Sequence, residues 1–224
     1  MIAEVNATTG EATAAELRRK GYEAIAVQTD VADQHSVRHA VDTCVQTFGR
    51  PDILVNNAGI NVFRDPLSCT EEDWRRCFAV DLDGVWFFCQ AVLPHMIQAG
   101  GGSIVNIASV HSFQIIPNCF PYPVAKHGVI GLTRALAVDF AAKNNRVNAV
   151  CPGYVATQIT LDYWDTFPDP VAERKRVEEL HPAKRVGTPD EIAWTVVFLA
   201  SDEAGFITGA SIMADGGLSV LYHP

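Results

Sequence analysis

Three side chains that can take part in proton transfer lie in one short stretch of the chain. Ser109 follows an apolar segment at residues 104–107, Tyr122 comes thirteen residues later, and Lys126 lies four residues beyond Tyr122. If a helix begins near Tyr122, the i, i+4 spacing places the phenol and the ammonium on one face. A cation beside a phenol favours the phenolate and lowers its pKa from about 10. The spacing therefore predicts a tyrosine that acts as a general acid or base near neutral pH.

Two further motifs follow apolar segments that read as strands. Residues 56–59 (Asn-Asn-Ala-Gly) come after one such segment, and residues 151–157 (Cys-Pro-Gly-Tyr-Val-Ala-Thr) come after another. A Tyr-x-x-x-Lys pair occurs by chance in many helices, and turn signals alone explain the glycines of an α/β fold. Neither alternative explains why Ser109, Tyr122 and Lys126 converge on one edge of the same sheet.

Strand and helix patterns alternate along the whole chain. We predict strands at residues 1–4, 24–27, 53–55, 104–107, 147–150 and 207–213. Helices are predicted up to Lys20, over 33–48, after a Thr70 cap, over 81–99 and 122–143, up to Leu180, and over 189–200 behind a capping box. This alternation predicts one α/β domain over residues 1–224, a doubly wound parallel sheet whose ligands gather beyond the carboxyl ends of its strands.

Composition restricts the class of partner. The formal net charge of −9 argues against nucleic acid or an anionic membrane surface as a partner. No apolar run approaches the roughly 18 residues of a membrane span. Six scattered cysteines without a C-x-x-C pair fit reduced thiols in a cytoplasmic protein. His35 and His39 share a predicted helix face, but without a third ligand nearby we expect no metal site.

Together these motifs resemble the short-chain dehydrogenase/reductase family over residues 1 to about 217. The resemblance implies a Rossmann-type fold and hydride transfer between a nicotinamide cofactor and a secondary alcohol or ketone. Tyr122 then transfers the proton. Lys126 lowers the pKa of Tyr122 and hydrogen-bonds the nicotinamide ribose, and Ser109 holds the substrate oxygen.

The position of a fourth catalytic residue departs from the family pattern. An asparagine that supports a proton-relay water is usual there, but residues 80–84 read Val-Asp-Leu-Asp-Gly. Aspartate accepts such a hydrogen bond but donates one only when it is protonated. Asp81 therefore either keeps the catalytic role with an altered pH dependence or caps the long helix.

The family resemblance also implies a segment that this sequence does not contain. Glu4 ends the first strand, where the family places the acid that holds the adenine ribose, so the glycine-rich strand–helix unit would lie before Met1. Its strand belongs between the strands that end at Glu4 and Asn56, and two edges should face a gap. Either the sequence begins at an internal methionine, or the protein lacks these parts and binds its cofactor weakly.

The remaining cofactor contacts come from the same resemblance. Glu4 would repel a 2′-phosphate and residues 5–8 offer no arginine, which favours NAD over NADP. Asp30 and Val31 resemble an adenine-contacting pair. The other predicted contacts are Asn57, Ala58 and Gly59 beside the ribose, Pro152, Gly153 and Val155 around the nicotinamide, and Thr157 near a phosphate. Each also has an ordinary interpretation as a turn or strand-end residue.

Substrate choice is predicted from the variable lid at about residues 157–187. Its aromatic and Asp-Pro pattern resembles that of sugar dehydrogenases such as L-fucose dehydrogenase, so a sugar or polyol is expected. Tyr163, Trp164 and Phe167 could stack on a ring, and His111 would line the same opening beside Ser109 and Tyr122. A steroid, a 3-oxoacyl compound or a small cyclic alcohol remains open, as does plain lid packing of Trp164.

Assembly and activity are predicted with one alternative. In the family, the helices equivalent to residues 81–99 and 122–143 pair with those of neighbouring subunits, and both are apolar here, so we expect a homotetramer. The missing phosphate loop suggests the alternative, a non-catalytic scaffold or decoy subunit.

Overall fold

Strands and helices alternate in the computed structural model, which describes residues 1–221. The strands are β1 Ile2–Glu4, β2 Ala26–Gln28, β3 Ile53–Asn56, β4 Phe63–Arg64, β5 Gly102–Ile107, β6 Phe120–Pro121, β7 Asn145–Pro152 and β8 Ser211–Ala214. The α-helices are α1 Ala7–Arg19, α2 Gln34–Phe48, α3 Glu71–Phe78, α4 Gly84–Gln98, α5 Tyr122–Phe140, α6 Gln158–Trp164, α7 Pro170–Leu180 and α8 Pro189–Ala200. Every predicted strand and helix is present in the predicted order, whereas β4, β6 and α6 were not predicted.

The central sheet is parallel and buried on both faces. Its four strands lie in the order β3-β5-β7-β8, and Ile104 of β5 is in register with Val147 of β7. Both residues pack in a core with α2, α4 and α5, whereas Val105 and Val150 pack on the opposite face with α8. Strands covered on both faces are rich in apolar residues, as the sequence pattern indicates.

Two strand predictions need correction. The last strand, predicted at residues 207–213, begins only at Ser211, because Gly209 has a φ of +73° and forms a turn before it. The second strand begins at Ala26 and not at residue 24. A two-residue antiparallel pair of β4 and β6 was not predicted.

A gap divides the parallel strands, as the sequence predicts. β1 pairs with β2 in a separate two-stranded sheet, and β3 forms the edge of the four-stranded sheet. Ile53 and Val55 of β3 are 52% and 42% exposed, which is unusual for a strand of this sheet. A cavity of about 350 Å³ lies between Ala3 and these β3 residues. Unpaired edges of this kind are weak points of a sheet.

One continuous helical segment links α3 to α4. Thr70 caps α3 in a reciprocal pair with Asp73, as predicted, and residues Ala79–Asp83 form a π-helical turn before α4. The segment Glu71–Gln98 is long and apolar enough to cross a membrane by length and composition, contrary to the sequence expectation. In this fold its buried residues, among them Phe88 and Met96, pack in the main core.

The lid consists of α6 and α7 and has a small core of its own. Trp164 of α6, Val177 of α7 and Val186 are buried together, and Tyr154 and Tyr163 pack against them. The lid therefore forms a packed wall rather than a loose loop.

We expect the strands on the two sides of the gap to differ in local stability. Backbone amides of β1 and β2 should exchange with solvent at least about tenfold faster than those of β5 and β7, because β1 and β2 lack a strand partner towards the rest of the sheet. Native-state hydrogen exchange measures this. Equal protection of β1 and β5 would contradict it.

Candidate active site

The three proton-transfer residues meet at the carboxyl end of the central sheet. Ser109 follows β5, and Tyr122 and Lys126 lie on one face of α5, whose first turn contains Pro123. The Lys126 ammonium lies 5.5 Å from the centre of the Tyr122 ring, and the Ser109 hydroxyl is close enough to the phenol to lower its pKa. The predicted convergence is therefore present, whereas the chemical roles of these residues remain predictions.

The pKa of Tyr122 lies above its ordinary value, contrary to the sequence expectation of a lowered pKa. Burial of the phenol raises it, and the Lys126 ammonium and the Ser109 hydroxyl lower it by less. The Asp81 carboxylate adds a further increase. Lys126 lowers the pKa of Tyr122, as predicted, but by less than burial raises it.

Lys126 is fixed by two oxygen atoms. Its Nζ donates to the backbone oxygen of Ile107 at 3.2 Å and pairs with Asp81 Oδ1 at 3.2 Å. Burial lowers the pKa of Lys126, but Tyr122 and Asp81 together raise it above its ordinary value. The ammonium is thus held charged beside the phenol although the side chain is buried.

Asp81 lies in the π-helical turn, and its carboxylate is fully buried. Besides Lys126, Oδ1 accepts the Ile60 amide at 3.2 Å, and the Cys77 thiol points at Oδ2 from 3.8 Å. Burial raises the pKa of this carboxyl, and Lys126 offsets part of the increase. The interpretation of Asp81 as a helix cap is wrong, because its partners are Lys126 and Ile60 and the residue before α4 is Asp83.

A cleft of about 420 Å³ opens above these residues. Most of the predicted site residues line it: Asn57, Gly59, Asp81, Ser109, His111, Tyr122, Lys126, Pro152, Gly153, Val155 and Thr157. The gap cavity is lined by Glu4, Val31, Asn57 and Ala58. Asn57 lines both, so the two predicted halves of a dinucleotide site adjoin along the sheet edge.

Two predicted site residues lie elsewhere. Trp164 is 3% exposed in the lid core and does not line the cleft, because its helix turns it towards α7. Its neighbour Tyr163, which the sequence also suggested for stacking, does line the cleft, with its ring 5.3 Å from that of Phe63. Asp30 lines neither cavity, and its carboxylate accepts the Ala32 amide in a turn at 2.9 Å.

Sequence reasoning also missed two aromatic residues of the cleft. Phe63 of β4 lies edge-on to Tyr122 at 5.5 Å, and Tyr154 lies edge-on to His111 at 6.3 Å. Tyr154 lies in the motif at residues 151–157, from which we predicted cofactor contacts but no contact of the Tyr154 ring. For Phe63 the sequence offers no signal, because a two-residue strand leaves no periodicity.

The described residues fit only part of a dinucleotide. An added Cβ at Gly59 would lie 2.9 Å from Asp81 Oδ1, so only glycine allows this close backbone approach beside Lys126. These groups suit a ribose and a nicotinamide ring. At the other end, the Asn6 side chain already accepts the first-turn amides of α1 at Thr8 and Thr9. Residues 1–221 thus provide no glycine-rich phosphate turn at this edge, as the sequence indicates.

Metal-ligating side chains are not clustered in the described part of the chain. No group of three or more His, Cys, Asp or Glu side chains could hold an ion among residues 1–221. The six cysteines are unpaired.

Comparison with known proteins identifies the family. The family model described as Enoyl-(Acyl carrier protein) reductase matches residues 1–219. Relatives that are 39% identical match nearly the whole chain. The chain belongs to the short-chain dehydrogenase/reductase family. This match also supports an oxidoreductase over a non-catalytic scaffold or decoy.

Relatives within this family carry the names of several small-molecule dehydrogenases. D-threitol dehydrogenase of Mycolicibacterium smegmatis is 38% identical, with 98% of this chain and 87% of the relative covered. Cyclohexanol dehydrogenase of an Acinetobacter species is 36% identical, with coverages of 96% and 83%. The structure of a gluconate 5-dehydrogenase from Burkholderia cenocepacia, in complex with NADP and tartrate, superposes with a TM-score of 0.91 at 34% identity, with coverages of 99% and 85%.

The buried Asp81 predicts a specific pH effect. Its negative charge raises the pKa of Tyr122, so Asp81→Asn should lower that pKa and move the rising limb of kcat/KM for alcohol oxidation to lower pH. A pH profile of initial rates measures the shift. Asp83→Asn is the control, because Asp83 is exposed and lies two residues after Asp81. It should leave the pH profile unchanged. A rising limb that moves to higher pH in Asp81→Asn would contradict the assignment.

Proposed function

We propose that this protein is an NAD-dependent dehydrogenase that interconverts a secondary alcohol and its ketone. The single observation that carries the proposal is the convergence of Ser109, Tyr122 and Lys126 on one cleft at the carboxyl ends of parallel strands. In a family of oxidoreductases, a phenol, a buried ammonium and a hydroxyl within reach of one another suit proton transfer to or from a substrate oxygen.

Each of the three residues has a distinct task. When bound, the nicotinamide would accept or donate the hydride. The Tyr122 oxygen takes the hydroxyl proton during oxidation and returns it during reduction. Ser109 orients the substrate oxygen towards Tyr122, and the Lys126 ammonium stabilises the negative charge on the phenolate. Asp81 and Ile107 hold that ammonium in position at 3.2 Å each.

The cofactor is proposed to be NAD rather than NADP. Glu4 lines the gap cavity, and a carboxylate there would repel a 2′-phosphate. Its Oε1 accepts the Asn6 amide at 3.0 Å, which holds the carboxylate at the end of β1. The NADP-bound gluconate 5-dehydrogenase shows that a related fold also takes NADP, so this preference rests on Glu4 alone.

The substrate class is proposed to be a sugar or polyol. The lid pattern and the name of the D-threitol dehydrogenase relative support it. The cyclohexanol dehydrogenase relative keeps a small cyclic alcohol as the second candidate. A 3-oxoacyl substrate also stays a candidate, because a 3-oxoacyl-[acyl-carrier-protein] reductase of Thermotoga maritima is 41% identical over 85% of this chain.

We further propose a cytoplasmic homotetramer. Trp86 of α4 and Val138 of α5 are 37% and 80% exposed, so both helices present apolar side chains outwards. Paired helices of neighbouring subunits would cover them. Scattered unpaired cysteines are consistent with a reducing compartment.

Tyr122→Phe tests the proposed chemistry. The change keeps the ring and removes the proton-transferring oxygen, so kcat should fall by about 100-fold or more. NADH formation with a panel of polyols, aldoses and cyclic alcohols provides the assay. Tyr22→Phe, at an exposed position far from the cleft, is the matched control. Full turnover by Tyr122→Phe would remove the mechanism.

Glu4→Gln tests the cofactor preference. Loss of the carboxylate should raise kcat/KM with NADP relative to NAD by about tenfold, because the repulsion of a 2′-phosphate disappears. Initial rates with each cofactor at fixed substrate give the ratio. Glu23→Gln, at an exposed position that does not line the gap cavity, should leave the ratio unchanged. A wild-type protein that prefers NADP would contradict the proposal.

A further inference from the structure

The charges that line the active-site cleft cancel one another. Among the described residues that wall it, only Asp81 and Lys126 are charged, and they pair at 3.2 Å. A carboxylate or phosphate on the substrate would therefore find no unpaired cation in the cleft. Removing such a group from water without a partner costs several kcal/mol.

Two arginines of the lid are paired outside the cleft. Arg176 binds Glu173 through two hydrogen bonds of 2.8 and 2.6 Å, and Arg174 binds Glu178 at 2.9 Å. Neither arginine lines the cleft. A substrate anion would have to break one of these ion pairs and so gains little from the lid.

Among the polar side chains that line the cleft, His111 offers a hydrogen-bond acceptor beside Ser109 and Tyr122. His111 Nδ1 lies 2.8 Å from the backbone oxygen of Gln114, and because a carbonyl only accepts, Nδ1 carries the proton. Burial lowers the pKa of His111, which keeps the ring neutral near pH 7. Its Nε2 is then a hydrogen-bond acceptor, and within the described residues it makes no hydrogen bond. Such an atom suits a hydroxyl and disfavours an anion.

His111 adjoins the reacting position. Its backbone amide donates to the Ser109 hydroxyl at 3.1 Å, and its ring stands edge-on to Tyr122 at 6.4 Å and to Tyr154 at 6.3 Å. A substrate oxygen held by Ser109 and Tyr122 therefore has the imidazole as its immediate neighbour. The rings of Phe63 and Tyr163 line the same cleft and suit the carbon skeleton of a small alcohol.

We propose that the substrate is an uncharged vicinal diol, whose reacting hydroxyl binds Ser109 and Tyr122 while its neighbouring hydroxyl donates to His111 Nε2. This inference rests on the proposed dehydrogenase function and narrows its substrate class. Sugar acids are excluded by the paired charges of the cleft, and simple alcohols lose one hydrogen bond.

Three probes of similar size test the inference: cis-1,2-cyclohexanediol, cyclohexanol and cis-2-hydroxycyclohexanecarboxylate. With NAD and with NADP, kcat/KM for the diol should exceed that for cyclohexanol by about tenfold, the worth of one hydrogen bond. The carboxylate should react roughly 100-fold less well than the diol. Equal rates for the diol and cyclohexanol, or a faster carboxylate, would overturn the inference while leaving the dehydrogenase function intact.

Variants of His111 assign the preference to its side chain. His111→Phe should bring the ratio of diol to cyclohexanol close to one, because the acceptor is lost. His111→Gln, which restores a side-chain oxygen acceptor, should recover part of the ratio. A ratio unchanged in His111→Phe would overturn the role of His111. Turnover of none of the three probes by the wild-type protein would instead overturn the dehydrogenase function, and the diol inference with it.

Discussion

The buried ion pair between Asp81 and Lys126 is the interaction on which the site depends. It joins the π-helical turn to α5, and the backbone oxygen of Ile107 ties the same ammonium to β5. Three separate elements therefore meet at one nitrogen atom. Loss of one partner would leave a buried charge uncompensated, a change that typically costs about 3–5 kcal/mol. The position and charge of Lys126 beside Tyr122 follow from this arrangement, and so does the electrical neutrality of the cleft.

The two halves of the predicted dinucleotide site are supported unequally. The cleft with Tyr122 rests on the four-stranded sheet, whose central strands are buried on both faces. Glu4 belongs to the separate pair β1–β2, which reaches the main core through partly buried residues such as Ala3 and Val27. The catalytic half is thus rigidly built, whereas the adenine half adjoins an open gap.

Local rules predicted much of the fold. Thr70 and Thr188 each begin a helix with a reciprocal acid three residues on, and such caps depend on a few neighbouring residues only. The Tyr122–Lys126 pair was equally predictable, because its geometry is that of one helix turn. The gap beside β1 followed from the family resemblance rather than from residue patterns.

Other features depended on contacts that no local pattern encodes. Trp164 and Tyr163 are neighbours on one helix, about 100° apart, and packing against α7 decides which of them lines the cleft. The π-helical turn that directs Asp81 to Lys126 has no residue signature. The raised pKa of Tyr122 reflects burial, which the chain acquires only when it folds.

The Lys126 ammonium, held by Asp81, lowers the pKa of Tyr122 from the value that burial alone would give. An NMR titration of protein with 13Cζ-labelled tyrosine measures this directly, with Tyr122→Phe used to assign the signal. In the wild-type protein Tyr122 should titrate above its ordinary pKa, and Lys126→Met should raise that pKa further, because the neighbouring positive charge is gone. A Tyr122 pKa that is unchanged in Lys126→Met, or that falls, would contradict the account.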